Sequence, residues 1–151
     1  MKAKSIKGKS VEEIQTAIQQ STADGFKPTL AIVFLSISQN RKAIIELLDA
    51  EGIQVFGATT NGEFTDEVSE KQSTAILLLD IKRAHFHILN KEYNEEKYKE
   101  TATSLAVKAK EKFSNPAFLI AGSHASTDAE AMLRSFEEVI SPQVNVYGCM
   151  A

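Results

Sequence analysis

Small polar residues follow a short apolar run in the stretch IQVFGATTNGEF, residues 53–64. Hydroxyl and amide side chains donate and accept hydrogen bonds, and a carboxylate pairs with ammonium groups. The stretch therefore has the chemistry of a binding loop for a compact polar ligand, contributed by Thr59, Thr60, Asn61 and Glu63. Turns and helix caps are also built from Ser, Thr, Asn and Gly, so a purely structural turn is the alternative.

A second stretch, VNVYGC at residues 144–149, repeats the pattern of the first. In both, apolar residues of a short strand end at a glycine, which is Gly57 in the first copy and Gly148 in the second. Cys149 follows the second glycine. A thiolate at this position needs a helix N-terminus or a cation beside it, so a small buried cysteine is the alternative to a functional one.

Two further clusters contain residue types that serve as nucleophiles or metal ligands. Ser123 precedes His124, but neighbours at a strand end point in opposite directions, which is poor geometry for a nucleophile and its base. His85 and His87 share one face of a strand, yet no Cys or Asp completes a zinc site. Neither phosphate-binding glycine motif, GxGxxG or GxxxxGK[ST], occurs. We predict no catalytic residue, no metal and no cofactor.

Composition limits the class of protein and its partners. A chain of 151 residues fits one domain with its own core. Its net charge of -3 offers no clustered positive charge to nucleic acid. A single cysteine excludes an internal disulfide and fits a reducing compartment. No apolar run approaches the roughly 18 residues that span a bilayer, and the N-terminus lacks a signal-peptide core. We predict a soluble, cytoplasmic protein without a nucleic-acid partner or a membrane span.

Apolar periodicity predicts alternating strands and helices. Predicted strands cover residues 3–7, 30–36, 53–57, 73–81, 84–90, 117–123 and 144–148. Capping boxes at Ser10–Glu13 and Thr127–Glu130 start two helices, and Asn94 caps the longest one, residues 95–113. Another helix lies within residues 39–52. The continuous apolar run LAIVFLS, residues 30–36, is typical of a strand buried on both faces.

The order of these elements predicts an α/β fold. Residues 30–58 and 117–149 each run from strand through loop and helix to strand, and such a crossover joins parallel strands in a βαβ unit. Only Lys82 and Arg83 separate the next two apolar runs, which predicts an antiparallel hairpin at 73–90 between the two units. We therefore predict a mixed, largely parallel sheet with helices on both faces.

Ligands of open α/β sheets bind outside the carboxyl ends of the parallel strands. Four loops of small polar residues stand at these ends: Ser36–Ser38, Gly57–Gly62, Gly122–Thr127 and Gly148–Met150. Two of them lead into helix N-termini, which suit a carboxylate or phosphate. We predict a ligand site here, with contacts from Ser36, Thr59, Thr60, Asn61, Glu63, Ser123 and Cys149.

Read together, these stretches resemble the N-terminal half of a FIST domain. An SVEEI helix, the LAIVFLS strand, VFGATTNGEF and the apolar STAILLLDI follow one another in the order that the family shows. Asn61 stands where the family commonly has a small residue such as Ala, and Cys149 stands where another Gly is frequent. The resemblance covers nearly the whole chain.

The resemblance implies a sensory domain of a signalling protein that binds a small ligand, with an amino acid or similar small carboxylate as the ligand. In the family this half is usually followed by a second FIST half and often joined to an output module. We therefore expect a truncated domain whose partners are that second half or an output module. Two other functions stay open: a small hydrolase or transferase with Cys149 or Ser123 as nucleophile, and a structural half-domain that pairs with a missing second half.

Overall fold

The computed structural model of the chain describes residues 1–65, 69–93, 97–122, 128–140 and 144–150, with the backbone alone for residues 69, 70, 149 and 150. The chain divides into two compact units, Met1–Phe86 and His87–Ala151. Each unit combines helices with parallel strands, so the predicted α/β class is confirmed. The expectation of a single domain over residues 1–151 stays a prediction.

A four-stranded sheet forms the basis of the first unit. The elements of the unit in chain order are β1 (Lys2–Gly8), α1 (Val11–Thr22), β2 (Leu30–Ser36), α2 (Arg41–Ala50), β3 (Gln54–Thr60), β4 (Glu63–Phe64), β5 (Ser69–Glu70) and β6 (Thr74–Asp80). The strand order is β1-β6-β2-β3, and β4 pairs with β5 in a short ribbon. β2 and β3 are parallel, while β6 is antiparallel to both β1 and β2. Consequently β1, β2 and β3 all run in one direction.

Side-chain caps start both helices of this unit. Ser10 Oγ accepts a hydrogen bond from Glu13 N at 3.2 Å, and the Glu13 carboxylate accepts one from Lys9 N at 2.8 Å. This is the predicted capping box, with the return bond one residue earlier than the usual position. Asn40 Oδ1 accepts from Ala43 N at 3.2 Å and caps α2 in the same way.

Both helices of the first unit pack on the same face of the sheet. The core between them and the sheet includes Ile14, Ile18, Ala31, Val33, Leu35, Ile44 and Leu48. Ile32 and Phe34 alternate with the buried residues of β2 and are only half-buried. The helices of the first unit therefore cover the face of LAIVFLS that carries Ala31, Val33 and Leu35.

The predicted antiparallel hairpin at 73–90 is wrong. Its first half is β6, but residues 84–90 contain no strand, and a 3-10 helix spans Arg83–His85. β6 is a central strand whose two edges are occupied by β1 and β2, so no edge is left for a following strand. Arg83 instead donates a hydrogen bond to the carbonyl of Gly52, at the end of α2.

The second unit has a parallel strand pair covered by two helices. Its elements are α3 (Tyr98–Lys112), β7 (Phe118–Gly122), α4 (Ala129–Glu137) and β8 (Val146–Met150). Its core includes Ala102, Ala106, Phe118, Ile120, Met132, Phe136 and Val146. Asp128 Oδ1 caps α4 by accepting from Ala131 N at 3.0 Å, whereas the predicted caps Asn94 and Thr127 lie outside the described residues. None of the described helices combines the length and apolarity needed to cross a bilayer.

The two predicted βαβ units are confirmed, and their shared glycine has a physical cause. β2-α2-β3 and β7-α4-β8 both join parallel strands through a helix. A Cβ added at Gly57 would lie 1.9 Å from the carbonyl oxygen of Val33, and one at Gly148 would lie 2.2 Å from that of Ile120. No side chain fits at such a distance, so the close approach of the neighbouring strand requires glycine at both positions.

Candidate functional site

The carboxyl ends of β2 and β3 share one edge of the first sheet with the start of β6. We use the name site edge for residues 36–40, 59–64 and 72–74. In the strand register Ser36 lies opposite Thr60, while Leu35 lies opposite both Thr59 and Thr74. The structure therefore brings together two of the four predicted loops, 36–38 and 57–62. It adds the segment 72–74, which the sequence analysis missed because it assigned β6 to a hairpin with residues 84–90.

Glu63 is the central hydrogen-bond acceptor of the site edge. Its side chain is 2% exposed. Oε1 accepts a hydrogen bond from Thr60 Oγ1 at 2.8 Å, and Oε2 accepts from Ser73 N at 3.1 Å and from Ser73 Oγ at 3.2 Å. The carboxylate thus ties the end of β3 to the start of β6, and its three hydrogen bonds satisfy a polar group that is buried away from water.

Ser36 connects the end of β2 to the same cluster. Its N–H donates to Ser73 O at 3.0 Å. Its Oγ lies 3.0 Å from Ser38 Oγ, and Ser38 N donates to the same Ser36 Oγ at 3.4 Å. Ser36 is half-buried and Ser38 is exposed. Each hydroxyl has more than one hydrogen-bonding position, so this pair keeps capacity for a bound polar group.

Thr59 and Asn61 are the least constrained of the predicted contacts. Thr59 is half-buried and Asn61 is exposed, directly after β3. No side-chain hydrogen bond ties either of them to the part of the chain that the structure describes. Their hydroxyl and amide groups are therefore available to a ligand, whereas Thr60 already donates to Glu63.

Backbone strain occurs at Gln72, beside the start of β6. Its φ is 59°, in the left-handed region that residues with a side chain rarely adopt. The Gln72 carbonyl accepts a hydrogen bond from Gln39 Nε2 at 2.8 Å. Such strain persists where surrounding contacts over-determine the backbone, and it is concentrated at functional sites. Gln39 thereby links the loop before α2 to the segment 72–74.

Thr74 has a buried hydroxyl without a partner. The residue is fully buried, and its Oγ1 has no hydrogen-bond partner among the described residues. It shares a row of the sheet with Gly8 of β1 and Leu35 of β2. An unsatisfied buried hydroxyl is destabilising, so this position is a weak point of the packing beneath the site edge.

The remaining predicted contacts belong to the second unit. Ser123 lies outside the described residues, and of Cys149 only the backbone is described, paired with Ala121 in the β7-β8 ladder. Their participation in the site stays a prediction. The described residues also contain no group of three His, Cys, Asp or Glu that could hold a metal ion. His85 and His87 are both exposed.

Comparison with known proteins gives one match. No curated protein and no solved structure matches the chain significantly. The sequence model of the FIST N domain matches residues 29–151, a segment that starts just before β2 and includes the whole site edge and both βαβ units. The resemblance seen in the sequence is thereby confirmed, and the chain belongs to the FIST N domain family.

Proposed function

We propose that the chain is a small-ligand-binding sensory domain whose ligand is an amino acid or a similar small carboxylate. FIST domains are sensory domains of signal-transduction proteins and not a catalytic family, and the family match is the observation that carries the proposal. The site edge supports it, because hydroxyl and amide groups gather there around a buried carboxylate. A binding role therefore agrees better with the family than an enzymatic one.

The groups of the site edge divide into two roles. Ser36, Thr59 and Asn61 contact the ligand, since their side chains keep hydrogen-bonding capacity. Thr60 and Glu63 hold the strand ends in place, since they bond to each other and to Ser73. The carboxylate of the ligand lies toward the first turn of α2, because the positive end of the helix dipole favours negative charge there.

The proposal also includes predicted residues of the second unit and the protein module that receives the signal. A role in ligand binding for Ser123 and Cys149, which belong to the second βαβ unit, rests on the internal repeat alone. The signal passes to a second FIST half or to an output module. These assignments rest on the internal repeat and on the family.

A thermal-shift screen of the twenty amino acids tests the proposal. A ligand at 100 times its Kd adds about 2.7 kcal/mol to the free energy of unfolding, which raises Tm by about 5–10 °C for a domain of this size. Asn61→Ala removes one contact and lowers the affinity about fivefold, since a hydrogen bond contributes about 1 kcal/mol.

Asn90→Ala is the matched control for this variant. Asn90 is also exposed, but it lies in the irregular segment before α3 and outside the site edge. The variant should bind as the wild type does. The proposal is wrong if no amino acid raises Tm at millimolar concentration.

A further inference from the structure

Two large apolar side chains are exposed at the site edge. Ile37 and Phe64 are each 78% exposed, more than any other large apolar residue in the described part of the chain except Met1. Ile37 stands between Ser36 and Ser38, and Phe64 follows the buried Glu63. Both therefore interrupt segments that are otherwise polar, where a polar residue would be better solvated.

Ser73 forms hydrogen bonds with the residue before Ile37 and with the residue before Phe64. The residue before Ile37 is Ser36, whose N–H donates to the Ser73 carbonyl. The residue before Phe64 is Glu63, whose carboxylate accepts from Ser73 N and Ser73 Oγ. Because Ser73 bonds to both Ser36 and Glu63, the backbone at Ile37 and the backbone at Phe64 both belong to the site edge.

The size of this apolar surface argues for a small occupant. A phenylalanine side chain contributes about 150–250 Å² of contact area, so the two residues together supply roughly 300 Å². A stable protein interface buries about 800 Å² on each partner. Two isolated side chains within polar loops are too small a surface for a protein partner, but they suffice to cover one side chain of a small ligand.

We infer that Ile37 and Phe64 form an apolar wall of the ligand site, and that the ligand is an amino acid with an apolar side chain. This inference rests on the proposed function and narrows its ligand class. The polar end of the ligand bonds to the hydroxyl and amide groups of the site edge, and its apolar side chain packs between Ile37 and Phe64. Binding removes both exposed side chains from water, which favours apolar over polar amino acids.

Isothermal titration calorimetry of the 151-residue chain with glycine, serine, leucine and phenylalanine tests the inference. Leucine and phenylalanine should bind at least about tenfold more tightly than glycine and serine. Phe64→Ser and Ile37→Ser should each weaken leucine binding about tenfold and leave glycine binding unchanged. Since both side chains are exposed, the Tm of the unliganded variants should stay close to that of the wild type.

Ile45→Ser is the matched control, because Ile45 is also exposed, at 49%, but lies within α2. It should not change the affinity for either leucine or glycine. Equal binding of serine and leucine by the wild type overturns the inference and leaves the proposed function intact. Binding of none of the twenty amino acids overturns both. The wild-type chain could instead self-associate through these side chains. If Phe64→Ser dissociates such an assembly and leaves leucine binding unchanged, Ile37 and Phe64 form a contact between copies of the chain, and the inference is overturned.

Discussion

Glu63 joins two strand ends through a buried carboxylate, and its replacement tests that role. Glu63→Ala leaves the buried Ser73 N–H without its acceptor and removes the partner of Thr60 Oγ1. Since an unsatisfied buried donor costs about 1–3 kcal/mol, we expect a loss of about 3 kcal/mol in the free energy of unfolding, measured by urea denaturation. Glu63→Gln keeps one acceptor oxygen and should lose less.

Glu46→Ala is the control for this prediction. Glu46 lies on the surface of α2 and contacts Lys42 at 3.7 Å, an exposed pair that contributes little. Its removal should change the free energy of unfolding by less than about 0.5 kcal/mol. If Glu63→Ala were as mild as Glu46→Ala, the carboxylate would not hold the strand ends together.

Replacing Thr74 with valine should raise the free energy of unfolding, whereas replacing Glu63 should lower it. Thr74→Val keeps the shape of the side chain and removes a buried hydroxyl that has no partner in the described part of the chain. We expect a gain of about 1 kcal/mol in the free energy of unfolding, because an unpaired buried polar group is destabilising. Thr74→Ser, which keeps the hydroxyl and loses the methyl group, should be destabilising in the same urea titration. A loss of stability in Thr74→Val would mean that an ordered water satisfies the hydroxyl.

At the scale of elements, the close approach of β2 and β3 makes Gly57 irreplaceable. The Cβ of an alanine would lie 1.9 Å from the carbonyl oxygen of Val33, a backbone atom that cannot move without separating the strands. We expect Gly57→Ala to lower the free energy of unfolding by at least about 3 kcal/mol. Thermal or urea unfolding of the purified variant measures this, and failure to fold is the extreme form of the same result.

Gly62→Ala is the matched control, only five residues further along the chain. A Cβ at Gly62 meets nothing within 4 Å, and Gly62 is exposed. The variant should change stability by less than about 0.5 kcal/mol. Equal effects at Gly57 and Gly62 would refute the steric explanation of the repeated glycine.

Strand pairing is the level at which the sequence-based prediction was wrong. Residues 73–81 were correctly predicted as a strand, because their apolar pattern is local. The partner strands of this segment were predicted wrongly. β6 pairs with β2 and with β1, and β1 lies about seventy residues earlier in the chain. Two short apolar runs separated by two residues predict a hairpin only if one edge of the first strand is free, and here both edges are occupied.

At the scale of the whole molecule, the N-terminal residues 1–28 lie outside the family match. The match begins at residue 29, so β1 and α1 precede it. Yet β1 pairs along all of β6, and Ile6, Ile14 and Ile18 belong to the same core as β2. The first unit therefore has one continuous hydrophobic core, which includes residues on both sides of the start of the match.

The amino-acid sequence by itself determined the α/β class, both βαβ crossovers, the Ser10 cap and the family, because periodicity, caps and short motifs are local. Only the tertiary structure decided which face of β2 the helices cover, where β6 pairs, and that Glu63 accepts hydrogen bonds from Thr60 and Ser73. These features depend on contacts between residues distant in sequence and on competition for strand edges and buried donors. The same residue types satisfy a turn or a ligand equally well until the fold assigns their partners.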